Sequence, residues 1–486
     1  MKNLKNILIA SSLFALFFTT SCEFEGVNND PDNILEAPIP QQLTSLTVNV
    51  GFLAGSDLNR FSSLIMQQYS GQSPSAAVTQ PQQYETYLIA GSDLNNLWSS
   101  LYAVVLNDAE NIIKIAAKTN SPHYSGVAKI LKAYTYQIAV DTWGNIPYSE
   151  TQLVDLNVKP KYDSAELIYS EIINLLDQGI TEVSATTSII SPGANSTIYP
   201  GPFSASKNNW IKFANTLKMR LYLHYSEKNA VFAKNGIDLL ISSGAPLFSG
   251  NADNFKMDFI NLFGARNPID QFQTNRVGNL VANAKIVSLM NGTSDPRRTS
   301  YFTQTAPGVY LGSFSGTTLG PSSYSSFNTY LRGAITGTTY TGAAPIRMLT
   351  FAEYNFIRAE STLRFATAGN AQTFYQEGIR ASMLDAGVVA ADITTFLAAN
   401  GTLTGTDAQK LEQIINQKFI ASYGVVSEPW TDWRRTGYPT IALPTNAVTN
   451  FTPRSLFYPQ SEIDTNGENV SQKPDMSVRV FWDTRL

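Results

Sequence analysis

Cysteine, histidine and paired carboxylates hold most protein chemistry, and this chain is nearly empty of the first two. Its 486 residues include one cysteine, Cys22, and two histidines, His123 and His224. One thiol excludes an internal disulfide and any multi-cysteine zinc site. Two separated imidazoles leave little for histidine ligation. His123 follows Pro122 at a helix start and His224 falls on an apolar helix face, so both read as structural. There is no HExxH, no GxSxG, no Gly-Lys of a phosphate loop, and no GxGxxG opening a helix. The 38 acidic residues could include a glycosidase pair, but spacing singles none out. Asp464-Thr465-Asn466-Gly467-Glu468 has oxygen ligands around a glycine, only a fragment of a calcium loop, and reads as a solvated turn. No catalytic residue, metal or cofactor is expected.

The chemistry that remains is recognition. Only 15% of residues are charged, against roughly 25% in an average soluble protein. A formal charge of -4 gives no basic face for nucleic acid. The chain instead carries 23 Tyr, 26 Phe and 6 Trp, too many core formers for a disordered protein. Long polar segments, 66–93, 185–206, 244–275, 292–347 and 430–486, are rich in Gly, Ser, Thr, Asn, Pro and Tyr. Segments of that length inside a domain are usually functional. They supply the ligand candidates Tyr69, Gln72, Tyr84 and Tyr87, then Phe272, Gln273 and Arg276, then Tyr324, Phe327 and Tyr330. Trp98 joins them from the edge of a helical stripe. Sugars offer C–H faces to rings and hydroxyls to amides and Arg. One aromatic contact contributes on the order of 1 kcal/mol, so a few give binding in the roughly micromolar to millimolar range.

Helices must position these residues. Leu94, Leu97, Leu101, Val104, Ile112 and Ile115 form one apolar stripe, and Val127, Ile130, Leu131, Tyr134 and Ile138 a second. Asp163 and Glu166 look like an N-cap pair before Ile168, Ile172, Leu175 and Leu176. Trp210, Phe213, Leu217, Leu221 and His224 make a further stripe. Residues 352–368 and 371–386 read as a hairpin around Gly369-Asn370, and Leu411, Ile414, Ile415 and Phe419 carry another helix. The expected fold is mostly α: tetratricopeptide-like helix pairs form a scaffold, with a loop-rich ligand-binding side. No strict 34-residue repeat is visible.

The N-terminus is read separately. Lys2 and Lys5 precede an apolar run, Ile7–Phe18, too short to span a bilayer and suited to a signal peptide. Thr19-Thr20-Ser21-Cys22 then resembles a bacterial lipoprotein signal, with Thr19 where Leu is usual. Cleavage before Cys22 makes that thiol the lipidation site and moves the formal charge from -4 to -6 by removing Lys2 and Lys5. The acidic Glu23 and Glu25 resemble a surface-export signal. The expected organisation is residues 1–21 signal peptide, 22–42 lipidated tether, and 43–486 a single domain.

Several phrases carry a wider resemblance: Ala128-Lys129-Ile130-Leu131-Lys132-Ala133-Tyr134, and Asp141-Thr142-Trp143-Gly144-Asn145-Ile146-Pro147-Tyr148. Further on come Arg266-Asn267-Pro268, Ser294-Asp295-Pro296-Arg297-Arg298, and the run Phe351 to Glu360. The last is Glu428-Pro429-Trp430-Thr431-Asp432-Trp433-Arg434-Arg435-Thr436-Gly437-Tyr438-Pro439. In this order, and behind the lipoprotein start, they resemble the SusD/RagB family of nutrient-binding outer-membrane lipoproteins of Bacteroidetes. The resemblance implies a helical scaffold of four tetratricopeptide-like pairs and a non-enzymatic, lipid-anchored lid at the cell surface. It also implies a partner, a TonB-dependent SusC-type β-barrel, to which the lid delivers glycans, or peptides in the RagB branch. A surface glycoside hydrolase and a purely structural lid stay open as alternatives. Trp143, Trp430, Trp433, Arg434 and Arg435 are expected to be buried fold markers rather than ligand contacts.

Overall fold

The computed structural model describes residues 37–151, 157–317 and 319–485. Cys22, the expected signal peptide and most of the expected tether lie outside the described residues. Helix α1 (Ile39–Gly55) begins four residues before the place where composition ends the tether. It can do so because Leu43, Leu46 and Val50 recur at helical spacing and are buried.

A long helical run follows. Asn95–Ser99 is α-helical, Ser100–Leu106 is π-helical, and α2 (Asn107–Lys118) returns to α-helical geometry. The wider π turns take up extra residue length, so the apolar face slips in phase. Its buried side runs Leu94, Leu97, Leu101, Val105, Ala109, Ile112 and Ala116, while Val104 and Ile115, placed on the stripe by the sequence pattern, are half-buried.

Helices α3 (Pro122–Trp143) and α4 (Ala165–Val183) cross on two glycines. A Cβ on Gly126 would stand 2.6 Å from the Val183 nitrogen and 2.7 Å from the Gly179 oxygen. Such an approach is open only to residues without side chains. The cap of α4 differs from expectation. Ser164 accepts from the Leu167 N–H at 3.3 Å, whereas the Asp163 carboxylate turns away and accepts from the Tyr148 and Ser149 N–H groups at 3.1 and 2.7 Å.

Then come α5 (Phe203–His224), α6 (Ala230–Ser242), α7 (Phe351–Phe365), α8 (Ala371–Asp385), α9 (Asp407–Ala421), α10 (Glu428–Thr436) and α11 (Gln460–Asn466). Consecutive helices α2 to α6 pack on their neighbours, α7 packs on α8, and α9 on α7. The hairpin forms where expected, with Asn370 accepting from Thr373 N–H at 3.0 Å to cap α8. The architecture is mostly α, built on tetratricopeptide-like pairs. No described helix is long and apolar enough to cross a membrane.

The long polar segments are not structureless. They contain antiparallel two-stranded ladders, Tyr69–Gly71 with Leu280–Ala282 and Phe255–Met257 with Ile346–Leu349. Short helices Gln80–Glu85, Pro268–Asn275 and Thr329–Arg332 carry Tyr84, Phe272, Gln273 and Tyr330, which the sequence reading had in loops.

Part of the scarce charge is spent inside. Arg220 on α5 pairs with Glu353 on α7 at 2.6 Å, and Lys418 on α9 with Glu428 and Asp432 on α10 at 2.7 and 2.8 Å. Arg435 reaches Glu360 at 2.8 Å, and His224 lies between Glu428 and Asp141 at 3.2 and 3.3 Å. Buried pairs of this kind add little net stability, but removing one partner costs about 3–5 kcal/mol by stranding the other. They lock α3, α5, α7, α9 and α10 in one arrangement.

Candidate functional site

A cleft of about 630 Å³ opens along the π segment and α2. Its aromatic end is built by Trp98 and Tyr102, whose ring centroids are 4.5 Å apart at 40°. The residues are four apart, so helical geometry brings them to one side. Trp143 supports Trp98 edge-on at 5.2 Å, and Tyr162 lies parallel to it at 6.4 Å. Trp98 is only 6% exposed, so the supports fix its plane and leave the cleft a small part of the ring. Each polar tip around it is satisfied. Tyr102 donates to the Pro147 carbonyl at 2.8 Å, Tyr162 to the Glu462 carboxylate at 3.0 Å, and Tyr458 to the Asn145 carbonyl at 2.8 Å. Burial, then the neighbouring Glu462, pushes the Tyr162 phenol above its ordinary range, so it stays a protonated donor.

Lys473 stands behind this wall. Its ammonium donates to the Trp143 and Leu456 carbonyls at 2.8 and 2.7 Å and lies 4.8 Å from the Tyr458 ring. Burial drives its pKa well below the lysine range, and Arg434 adds to the shift.

One long side of the cleft is α2. Asn107, Asn111 and Lys114 line it, and none of their side chains has a hydrogen bond or ion pair among the described residues. A rise of about 1.5 Å per residue spaces them roughly 6 and 4.5 Å apart along the axis. The other side is already tied down. Glu150 accepts from Asn157 Nδ2 and the Lys161 N–H, both at 3.0 Å, and pairs with Lys161 Nζ at 3.3 Å. The end of α11 pins this rim: Asn466 donates to the Pro160 carbonyl at 2.9 Å, and Glu468 pairs with Lys159 at 2.8 Å. The Asp464–Glu468 stretch is thus a helix end that latches the rim, and its acidic groups are used as protein contacts.

Of the residues chosen from sequence, Trp98 lines this cleft. Tyr84 stands apart, against Phe61 at 4.5 Å and beside a recess of about 220 Å³ with Asp57, Arg60 and Asp93. Tyr69, Gln72, Tyr87, Gln273 and Phe327 are buried. Tyr69 packs on Phe327 at 4.4 Å, Gln72 donates to Ser313 Oγ and the Thr317 carbonyl at 2.9 and 2.7 Å, and Gln273 donates to the Leu280 carbonyl at 3.2 Å. Tyr324 is buried too, and Tyr330 lies between Tyr301 at 4.4 Å and the Arg347 guanidinium at 3.8 Å. Phe272 sits half-buried under Arg60 at 4.5 Å, with the exposed Arg276 at 6.0 Å. These aromatic residues build the interior of the loop side. Trp143, Trp430, Trp433, Arg434 and Arg435 are buried as expected, with Arg434 4.0 Å from the Trp430 ring. Tyr102, Asn107, Asn111, Lys114 and Glu462 were not singled out from sequence, although the polar positions 107, 111 and 114 do repeat on one helix face.

Residues 33–459 match the SusD-like family described as starch-binding and associating with the outer membrane. The chain belongs to the SusD-like family. Its helical fold is shared with solved SusD-like structures. A chitin-binding protein is 25% identical with a TM-score of 0.77, covering 92% of this chain and 100% of that one. A SusD homolog from Bacteroides uniformis is 22% identical at 0.75, covering 93% and 100%. A chitin-binding SusD homolog from Flavobacterium johnsoniae is 23% identical at 0.73, covering 92% and 98%. No curated protein sequence matches. SusD-like proteins are glycan-binding proteins associated with the outer membrane.

Proposed function

We propose that this SusD-like protein is a lipid-anchored, cell-surface lid that captures oligosaccharides and delivers them to a TonB-dependent SusC-type β-barrel. The barrel performs the energised transport, and the lid makes and breaks no bonds. The observation that carries the reading is the cleft itself. Ring surface from Trp98 and Tyr102 meets the unpartnered amides of Asn107 and Asn111 in a cleft of about 630 Å³. Rings suit the C–H faces of a pyranose and free amides suit its hydroxyls and acylamino groups. Because two related structures are named for chitin, N-acetylglucosamine oligomers are the first ligands to try.

Isothermal titration against chitin-, starch- and cellulose-derived oligosaccharides tests this. At least one should bind, and Tyr102→Ala or Asn111→Ala should weaken that binding about tenfold, the loss of roughly one ring or hydrogen-bond contact. Binding of peptides but no glycan would favour the RagB-like alternative. Sustained release of new reducing ends would mark an enzyme.

A further inference from the structure

Glu462 differs from the other carboxylate of the cleft wall. Both oxygens of Glu150 are engaged by Lys161 and Asn157. In Glu462 only Oε2 is used, accepting from Tyr162 at 3.0 Å and Asn466 at 3.4 Å, while Oε1 has no partner among the described residues. No cation pairs with it: the lysines of the facing rim, Lys159 and Lys161, are taken by Glu468 and Glu150. Among the described lining residues Glu150 is neutralised by Lys161, and Glu462 and Lys114 carry charges without an ion pair. A carboxylate with a spare oxygen shares this wall with the half-buried Tyr102, whose ring attracts cations. Tyr162, held by Glu462, carries that aromatic wall on behind Trp98.

We infer that the cleft selects an oligosaccharide bearing a free amine, with Glu462 Oε1 and the neighbouring ring faces receiving the sugar ammonium. The inference rests on the glycan-cleft reading and names the class of sugar within it. A fully acylated amino sugar is neutral and gains no ion pair with Glu462. An acidic sugar would meet the unpaired Glu462. An amino sugar with its nitrogen unmasked satisfies the spare oxygen of Glu462.

Three tetramers separate the possibilities by calorimetry: N-acetylglucosamine tetramer, glucosamine tetramer, and cellotetraose, which has a hydroxyl in place of the amine. At about pH 6, where an amine of this type is protonated, the glucosamine tetramer should bind about tenfold tighter than the acetylated one. The ratio should collapse toward one in Glu462→Gln. In the unaltered protein it should also collapse at about pH 9, where the amine is neutral, a readout that does not depend on the variant folding. Equal or weaker binding of the glucosamine tetramer at the lower pH overturns the inference. So does a preference that persists in Glu462→Gln or at the higher pH. Binding of the acetylated tetramer without an amine preference overturns the inference and leaves the glycan reading standing. Binding of none of the three overturns both, and binding of a lysine-containing peptide instead would assign the ammonium site to a peptide ligand.

Discussion

Glu85 is a buried carboxylate with no cation beside it among the described residues, and its three donors come from two places in the chain. Ser70 Oγ and the Gly71 N–H donate to Oε2 at 2.8 and 2.9 Å, and the Gly316 N–H donates to Oε1 at 3.1 Å. Burial raises its pKa from 4.5 to about 7, and the three hydrogen bonds only moderate the rise. The folded protein therefore holds this proton more tightly than the unfolded chain. The resulting stabilisation is complete below pH 4.5 and lost as pH rises through about 7. That interval corresponds to about 3 kcal/mol. In urea denaturation between pH 5 and pH 8, the unaltered protein should lose stability relative to Glu85→Gln by up to about that amount. Parallel pH profiles for the two would contradict the assignment. Glu360 has the opposite sign. Burial acts to raise it, but Arg435 and Arg364 prevail and bring it to about 2, so its stabilisation is present above 4.5 and lost as pH falls toward 2. Glu360 also shows why the family phrases were legible. They contain Asp141, Glu353, Glu360, Glu428, Asp432 and Arg435, the charges that meet inside the scaffold. The loop aromatics were legible as aromatic but not as buried. Tyr69 and Phe327 are far apart in sequence, and only the folded chain shows that each covers the other.

At the scale of elements, apolar periodicity located the helices because each buries one stripe. It missed the π segment, since a slip of one position between Leu101 and Val105 leaves an apolar residue available in either register. It also missed the ladders, which join Tyr69 to Ala282 and Phe255 to Leu349 across long stretches of chain. The π segment is the element most closely tied to the cleft, because Tyr102, Ala103 and Leu106 lie in it and line the wall. The helix flanks are fixed independently: Leu97 is buried on one side, and Glu110 pairs with Lys132 of α3 at 2.8 Å on the other. Deleting Ala103 should let the segment relax to regular α-helix between those anchors. Circular dichroism and the melting temperature should then stay near those of the unaltered protein, while oligosaccharide affinity falls about tenfold or more as Tyr102 leaves its place beside Trp98. Unchanged affinity in a folded deletion variant would remove the π segment from the site. Global unfolding would show that the extra residue serves packing instead.

At the scale of the whole molecule, the cleft and the proposed anchor lie far apart in sequence. Every residue assigned to the cleft lies between Trp98 and Lys473, far in sequence from Cys22. No described helix is long and apolar enough to cross a membrane, and the attachment proposed is the lipid on Cys22. One acyl chain holds a protein only reversibly, at about 0.8 kcal/mol per buried CH₂, and stable anchoring takes two or more. The lipoprotein reading of Cys22 supplies them at a single residue. Cells fed a labelled fatty acid should mark the protein, and mild detergent should extract it from the outer membrane together with a β-barrel of the TonB-dependent type. Cys22→Ala should lose the label and partition into the aqueous fraction, yet bind the same oligosaccharide with unchanged affinity, because the described residues that line the cleft lie between Trp98 and Glu462. A labelled Cys22→Ala protein would overturn the anchor. An unlabelled variant that still sediments with membranes and barrel would show that the partner alone can hold the lid in place.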